Sequence, residues 1–135
     1  MNYLARREHS RAELARKLAP HAEADEIEAL LGQLERDQLL SNTRYVEMLA
    51  HARAGKHGSL RLKADLRDKG VTEGDMREAL ETAREQDLDA ARMVWLKKFG
   101  AAPANAAERA RQYRFLASRG FPIDIIRRVI GGDDD

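Results

Sequence analysis

The chain has 135 residues, 43 % of them hydrophobic, 35 % charged and 5 % aromatic, with no cysteine and a net charge of +1. The missing cysteine excludes disulfides, thiolate catalysis and cysteine-based zinc sites. No apolar run reaches the roughly 18 residues of a membrane span, and the opening MNYLARREHS lacks the apolar core of a signal peptide. A cytoplasmic protein is expected.

Helix is expected throughout. Proline occurs only at 20, 103 and 122, and valine and isoleucine never alternate with polar residues over a strand's length. A short first helix is expected over 2–8. Ser10-Arg11-Ala12-Glu13 has capping-box spacing, in which hydroxyl and carboxylate each accept a backbone N–H, and opens a helix over 10–19. Asp25 with Glu28 opens the next, over 24–38, whose stripe is Ile27, Leu30, Leu31 and Leu34. Ser41, bracketed by Leu40 and Tyr45 at hydrophobic-staple spacing, opens 42–54. A helix over 59–69, carrying Leu62 and Leu66, ends in Gly70-Val71. In a Schellman ending the glycine turns left-handed and the apolar residue after it packs five positions back, here on Leu66. Thr72 with Asp75 opens 73–84, with Met76 and Leu80 inward. Asp89, bracketed by Leu88 and Met93, opens 89–99. The helix over 105–119 again ends in glycine and an apolar residue, Gly120-Phe121. Pro122 suits the first turn of 122–130, whose inner face is Ile126, Val129 and Ile130.

These signals recur about 50 residues apart: Ser10 with Ser59, Ser41 with Asp89, Gly70 with Gly120. The fold class is therefore all-α, an elongated array of three tandem three-helix repeats over 1–40, 41–86 and 87–130, followed by a disordered acidic tail over 131–135. The first unit departs from the pattern, with a short opening helix and Pro20-His21-Ala22 in place of the glycine turn.

Charge follows the same period. Net charge is +3 over 1–22, −5 over 23–38, +4 over 39–71, −5 over 72–91, +7 over 92–130 and −3 in the tail. Stacked in register, the basic helices would line one side and the acidic helices another, so a nearly neutral protein would carry a basic stripe suited to a phosphate backbone. Charge blocks of this kind also serve solubility and i, i+4 pairing alone.

No catalytic constellation emerges. His9, His21, His51 and His57 have no metal-ligand spacing and are expected at the surface or at helix caps. Gly55-Lys56-His57-Gly58-Ser59 lacks the order of a phosphate-binding loop, and no serine sits in a nucleophile elbow. Trp95 is expected in the core. No cofactor, metal or enzymatic activity is expected.

The string LARREHSRAELARKL, from Leu4 to Leu18, resembles the opening signature of the RecX family. The resemblance continues through Gly58-Ser59-Leu60-Arg61-Leu62-Lys63-Ala64-Asp65-Leu66-Arg67-Asp68-Lys69-Gly70-Val71. It returns in Arg114-Phe115-Leu116-Ala117-Ser118-Arg119-Gly120-Phe121, followed by Ile126, and so covers essentially the whole chain. It implies three tandem three-helix repeats and a bacterial regulator of DNA recombination, repair and the SOS response. The implied partner is the RecA recombinase assembled on single-stranded DNA, with double-stranded DNA a second option. The implied effect is modulation, usually inhibition, of ATP hydrolysis, strand exchange and co-protease activity. The residues expected to face DNA or filament are Arg6, Arg7, Arg11, Arg16 and Lys17 in the first unit. Those in the second are Arg53, Lys56, Arg61, Lys63, Arg67 and Lys69. Those in the third are Lys97, Lys98, Arg111, Arg114 and Arg119. A monomer is expected. The alternatives are a general nucleic-acid-binding helical module without a filament partner, and a scaffold that contacts proteins only.

Overall fold

The computed structural model describes residues 8–131. The expected opening helix, apart from Glu8, together with Arg6, Arg7 and the acidic tail beyond Gly131, lies outside them. The described residues form seven helices and no strand: α1 (Arg11–Leu18), α2 (Ala24–Arg36), α3 (Asn42–Arg53), α4 (Ser59–Asp68), α5 (Glu73–Lys98), α6 (Ala106–Ser118) and α7 (Ile123–Ile130).

Local signals set most of the boundaries. Ser10 Oγ accepts the Glu13 N–H at 3.0 Å and Glu13 Oε1 accepts the Ser10 N–H at 3.4 Å, completing the capping box of α1. Ser41 and Thr72 cap α3 and α5 through their hydroxyls. Both glycine endings are Schellman turns. The Val71 N–H reaches Leu66 O at 3.0 Å and the Phe121 N–H reaches Leu116 O at 3.3 Å, with φ of +77° at Gly70 and +90° at Gly120. One cap falls elsewhere than expected: α2 is capped by Glu23 with Glu26, two residues before Asp25 and Glu28. This frees Glu28 for another role.

The larger difference is α5. The break expected before Asp89 is absent, and residues 73–98 form one helix of 26 residues, about 39 Å long. Glu85, Gln86 and Leu88 are good helix formers, and after Gly74 in the first turn no glycine or proline occurs before Gly100. Met93, the far half of the expected staple, is exposed. A single helix therefore closes the second unit with Met76 and Leu80 and opens the third with Ala90 and Ala91.

Each unit has its own core. The first gathers Leu14, Ile27, Leu31 and Leu40. The second gathers Tyr45, Val46, Leu62, Leu66, Val71, Met76 and Leu80. The third gathers Ala90, Ala91, Leu116, Phe121, Ile125, Ile126 and Ile130. Because the cores are separate and small, the joints between them matter to stability.

The two joints are built alike. Between units two and one, Ser10 Oγ donates to Lys69 O at 2.6 Å, and a Cβ on Gly70 would lie 2.4 Å from the Ala12 Cβ. Between units three and two, the Gly58 N–H donates to Arg119 O at 2.8 Å and the Leu60 N–H to Gly120 O at 3.0 Å. A Cβ on Gly120 would lie 2.4 Å from the Arg61 Cβ. In each joint the carbonyl-rich end of one helix meets the amide-rich start of another, so α6, α4 and α1 run end to end with their dipoles in the favourable head-to-tail sense. A side chain from the first helix of the later unit completes each joint. Asn42 Oδ1 accepts the Arg11 N–H at 2.8 Å. Asp87 Oδ1 accepts the Ser59 N–H at 2.9 Å, and its Oδ2 accepts the Ser59 hydroxyl at 2.6 Å.

Candidate nucleic-acid interface

The expected basic residues fall into three groups by what they touch. Those in the first group are engaged with acidic side chains. Arg11 holds Glu28 with two hydrogen bonds, at 2.9 and 3.2 Å, and reaches Glu35 at 3.3 Å. The hydrogen bond to Glu28 is the main reason that the Arg11 pKa is raised and that of Glu28 lowered. Arg67 pairs with Glu73 at 2.7 Å, which lowers the glutamate's pKa. Lys69 lies 3.8 Å from the buried Glu13. Acidic α2 thus packs against basic α1, and the two signs of charge are interleaved there instead of forming separate sides.

The second group gathers at the joint between units two and three. Arg53 and Arg61 share one carboxylate oxygen of Asp65, at 2.8 and 3.3 Å. His57 sits beside them. Burial lowers its pKa first, and the charges of Arg61, Arg53 and Arg119 lower it further. The imidazole is therefore neutral at neutral pH, and the single carboxylate of Asp65 serves two guanidinium groups, those of Arg53 and Arg61. The histidines expected at the surface or at caps divide: His21 and His51 are exposed, His57 is half-buried and His9 is fully buried. A residue expected at the surface can be buried where, as here, it precedes a capping serine that docks onto the next unit.

The third group surrounds a pair of phenylalanines. Phe99 and Phe115 meet edge to face, with centroids 5.5 Å apart. The Lys98 ammonium lies 5.3 Å from the Phe115 centroid and the Arg119 guanidinium 4.8 Å, while Arg111 lies 5.3 Å from that of Phe99. Arg119 belongs to the second group too, so the two are continuous. Lys17, Lys56, Lys97 and Arg114 are exposed and Lys63 is half-buried. Arg16 is exposed and donates to Asp68 O at the end of α4, at 2.9 Å.

Sequence patterning did not single out the phenylalanines. Phe115 follows Arg114 and lies one position off the buried pair Gln112 and Leu116. That offset of about 100° is the signal that could have marked it as a side-facing aromatic. Trp95 behaves as expected: it packs on the third core and its indole N–H donates to Gln112 Oε1 at 2.9 Å. A groove of about 350 Å³ runs between α3 and α5, floored by Val46, Ala50, Ala79 and Ala83 and rimmed by Glu47 and Glu78. Among the described residues no three His, Asp or Glu side chains are grouped to hold a metal. No helix there is long and apolar enough to cross a membrane.

Family models match along nearly the full length of the chain. RecX, first three-helix domain, matches residues 1–34; the second three-helix domain matches 41–80 and the third 85–130. The chain belongs to the RecX family. Regulatory protein RecX of Leptothrix cholodnii is 50 % identical over 131 residues, which are 96 % of this chain and 83 % of that protein. Its counterpart in Chromobacterium violaceum is 49 % identical, over 98 % of this chain and 88 % of that protein. A crystal structure of regulatory protein RecX superposes with a TM-score of 0.81 at 20 % identity, covering 94 % of this chain and 67 % of that one. The crystal structure of RecX from Lactobacillus salivarius superposes with a TM-score of 0.73 at 21 % identity, over 96 % and 88 %. The RecX fold is thus common to all three. Between the second and third RecX domains fall residues 81–84, all inside α5, so in this chain that domain boundary is a continuous helix and not a linker.

Proposed function

We propose that this protein is a non-enzymatic cytoplasmic regulator that binds the RecA–single-stranded DNA filament as a monomer and inhibits it, lowering recombinase ATP hydrolysis and strand exchange. One observation carries the reading: three RecX domains in tandem account for the chain, and relatives up to half identical over nearly all of it are named regulatory proteins. The geometry is compatible with it. End-to-end α6, α4 and α1 make a row along which Arg16, Lys63, Arg111, Arg114 and Arg119 are distributed. A row of cations can follow a phosphate backbone while other faces contact protein.

The test is single-strand-dependent ATP hydrolysis by the cognate recombinase, titrated with this protein at physiological salt. Inhibition well below one protein per recombinase supports capping of filament ends or propagation of a local block; inhibition only near saturation supports coating of the groove. No effect of a folded protein on a competent recombinase overturns the reading. The second reading, a nucleic-acid-binding module without a filament partner, rests on the cation–aromatic cluster of unit three. It predicts salt-sensitive binding to bare DNA that accounts for all activity.

A further inference from the structure

Phe115 stays half-exposed on the side of α6, as Tyr113 and Val129 do at the edge of the same core, but it alone has a second phenylalanine, Phe99, edge to face against it. Three cations from three places in the chain, Lys98, Arg111 and Arg119, converge on these two rings. None of the three forms an ion pair within 4.0 Å among the described residues. Beyond Arg119 lie Arg61 and Arg53, which share only Asp65. A flat apolar ring bordered by cations, adjoining further guanidinium groups, matches the two halves of a nucleotide: a base to stack and phosphates to neutralise. Cation–ring contacts at a solvated site are weak enough for the cations to turn from ring to phosphate as a base takes the ring's face.

We propose that Phe115, supported by Phe99, is a stacking site for an unpaired base of single-stranded DNA, with Arg61 and Arg119 taking the adjoining phosphates. The proposal rests on the nucleic-acid component of the function proposed above and does not depend on the recombinase. A paired base is already stacked on both faces, so the site selects single strands.

The experiment is fluorescence anisotropy with two labelled 20-mers at the same salt and without recombinase: oligo-dT, and a strand of abasic tetrahydrofuran residues that keeps the phosphates. The intact protein is expected to bind oligo-dT at least about 5-fold more tightly than the abasic strand, as one stacked base would give. Phe115→Leu should bring the oligo-dT affinity down to that of the abasic strand and leave the abasic affinity unchanged. Phe115→Trp should restore the preference, with its added emission quenched by oligo-dT. Equal affinity of the intact protein for the two strands overturns the proposal, and that comparison needs no variant to fold. A Phe115→Leu effect equal on both strands overturns it as well. Recombinase inhibition is read separately. Inhibition without base preference removes the stacking site and keeps the filament reading; base preference without inhibition does the reverse.

Discussion

Asp87 gives the sharpest test of how the units are joined. Its carboxylate is almost fully buried and accepts both the N–H and the hydroxyl of Ser59, at 2.9 and 2.6 Å. Asp87→Ala removes both bonds and leaves two buried donors unpaired. At about 1–3 kcal/mol for each unsatisfied group, less what solvent entering the gap recovers, the expected loss is about 3 kcal/mol. In a chain of this length that lowers Tm by about 10 °C. Asp87→Asn keeps an acceptor for the N–H, and the hydroxyl can reverse to accept from the new amide, so it should cost less than half as much. The charge adds a pH signature. Burial raises the Asp87 pKa above the usual aspartate value, against the smaller opposing effect of the Ser59 hydrogen bonds. The folded state therefore holds this proton where the unfolded state has lost it. The stability contributed by Asp87 is greatest below the ordinary aspartate pKa and is lost as pH rises through the raised one. Urea denaturation followed by circular dichroism, in a pH series from below the ordinary aspartate pKa up to neutrality, reads both effects, with Ser59→Ala and the double variant completing a thermodynamic cycle. If Asp87→Ala lies within about 0.5 kcal/mol of the parent, or if the two substitutions simply add, the carboxylate does not join the units through Ser59.

Gly120→Ala and Gly70→Ala combine a left-handed φ with a Cβ 2.4 Å from the neighbouring unit. Each should cost at least about 2 kcal/mol, against about 1 kcal/mol for Gly55→Ala, which has a similar φ and open space around it. Chemical denaturation of the three variants checks the order. Ser10→Ala loses the cap of α1 and the bond to Lys69 O, and should cost about 1–2 kcal/mol by the same measurement. His57, whose pKa is lowered, takes up its proton less readily when folded. Its contribution to stability is present above the ordinary histidine pKa and is lost as pH falls through the lowered one, so His57→Gln should flatten the decline between pH 7 and pH 5. Arg114→Ala should weaken single-strand binding and reduce the salt slope, while Arg11→Ala, whose charge is already held by Glu28 and Glu35, should leave both nearly unchanged. Anisotropy titrations at several salt concentrations separate the two.

What was legible in the sequence was chiefly what local chemistry decides. Ser10 with Glu13, Ser41, Thr72, and the glycine endings at 70 and 120 each act through a few neighbouring residues, and each was found where expected. The break before Asp89 was a local signal too, but a weak one. Staple spacing between Leu88 and Met93 competes with the good helix formers Glu85, Gln86 and Leu88, and the helix continues when nothing buries Met93. The joints were hidden because their partners lie 28 to 61 residues apart, as in Ser59 with Asp87 and Gly58 with Arg119. The charge blocks were legible, but their pairing was not. Only the packing of α2 on α1 shows that Arg11 is held by Glu28 and Glu35.

The joints also explain why the repeat is visible at all. A three-helix unit with a core of four to seven buried residues needs its neighbours. The join is made where every unit must supply the same things: a glycine turn that presents free carbonyls, and a helix start that presents free amides. Gly70 and Gly120 answer to Ala12 and Arg61, so the 50-residue period records the spacing of joints as much as the spacing of units. At the first joint the residue under the glycine is alanine. At the second it is arginine, and with Arg119 on the opposing turn this brings two guanidinium groups to bear on His57, one of them lying against Phe115. Exchanging them, Ala12→Arg with Arg61→Ala, leaves net charge unchanged and both backbone joints in place. Single-strand affinity should fall if the cluster at the second joint is the binding site. It should stay constant if only total charge along the row matters, and anisotropy on oligo-dT decides between the two.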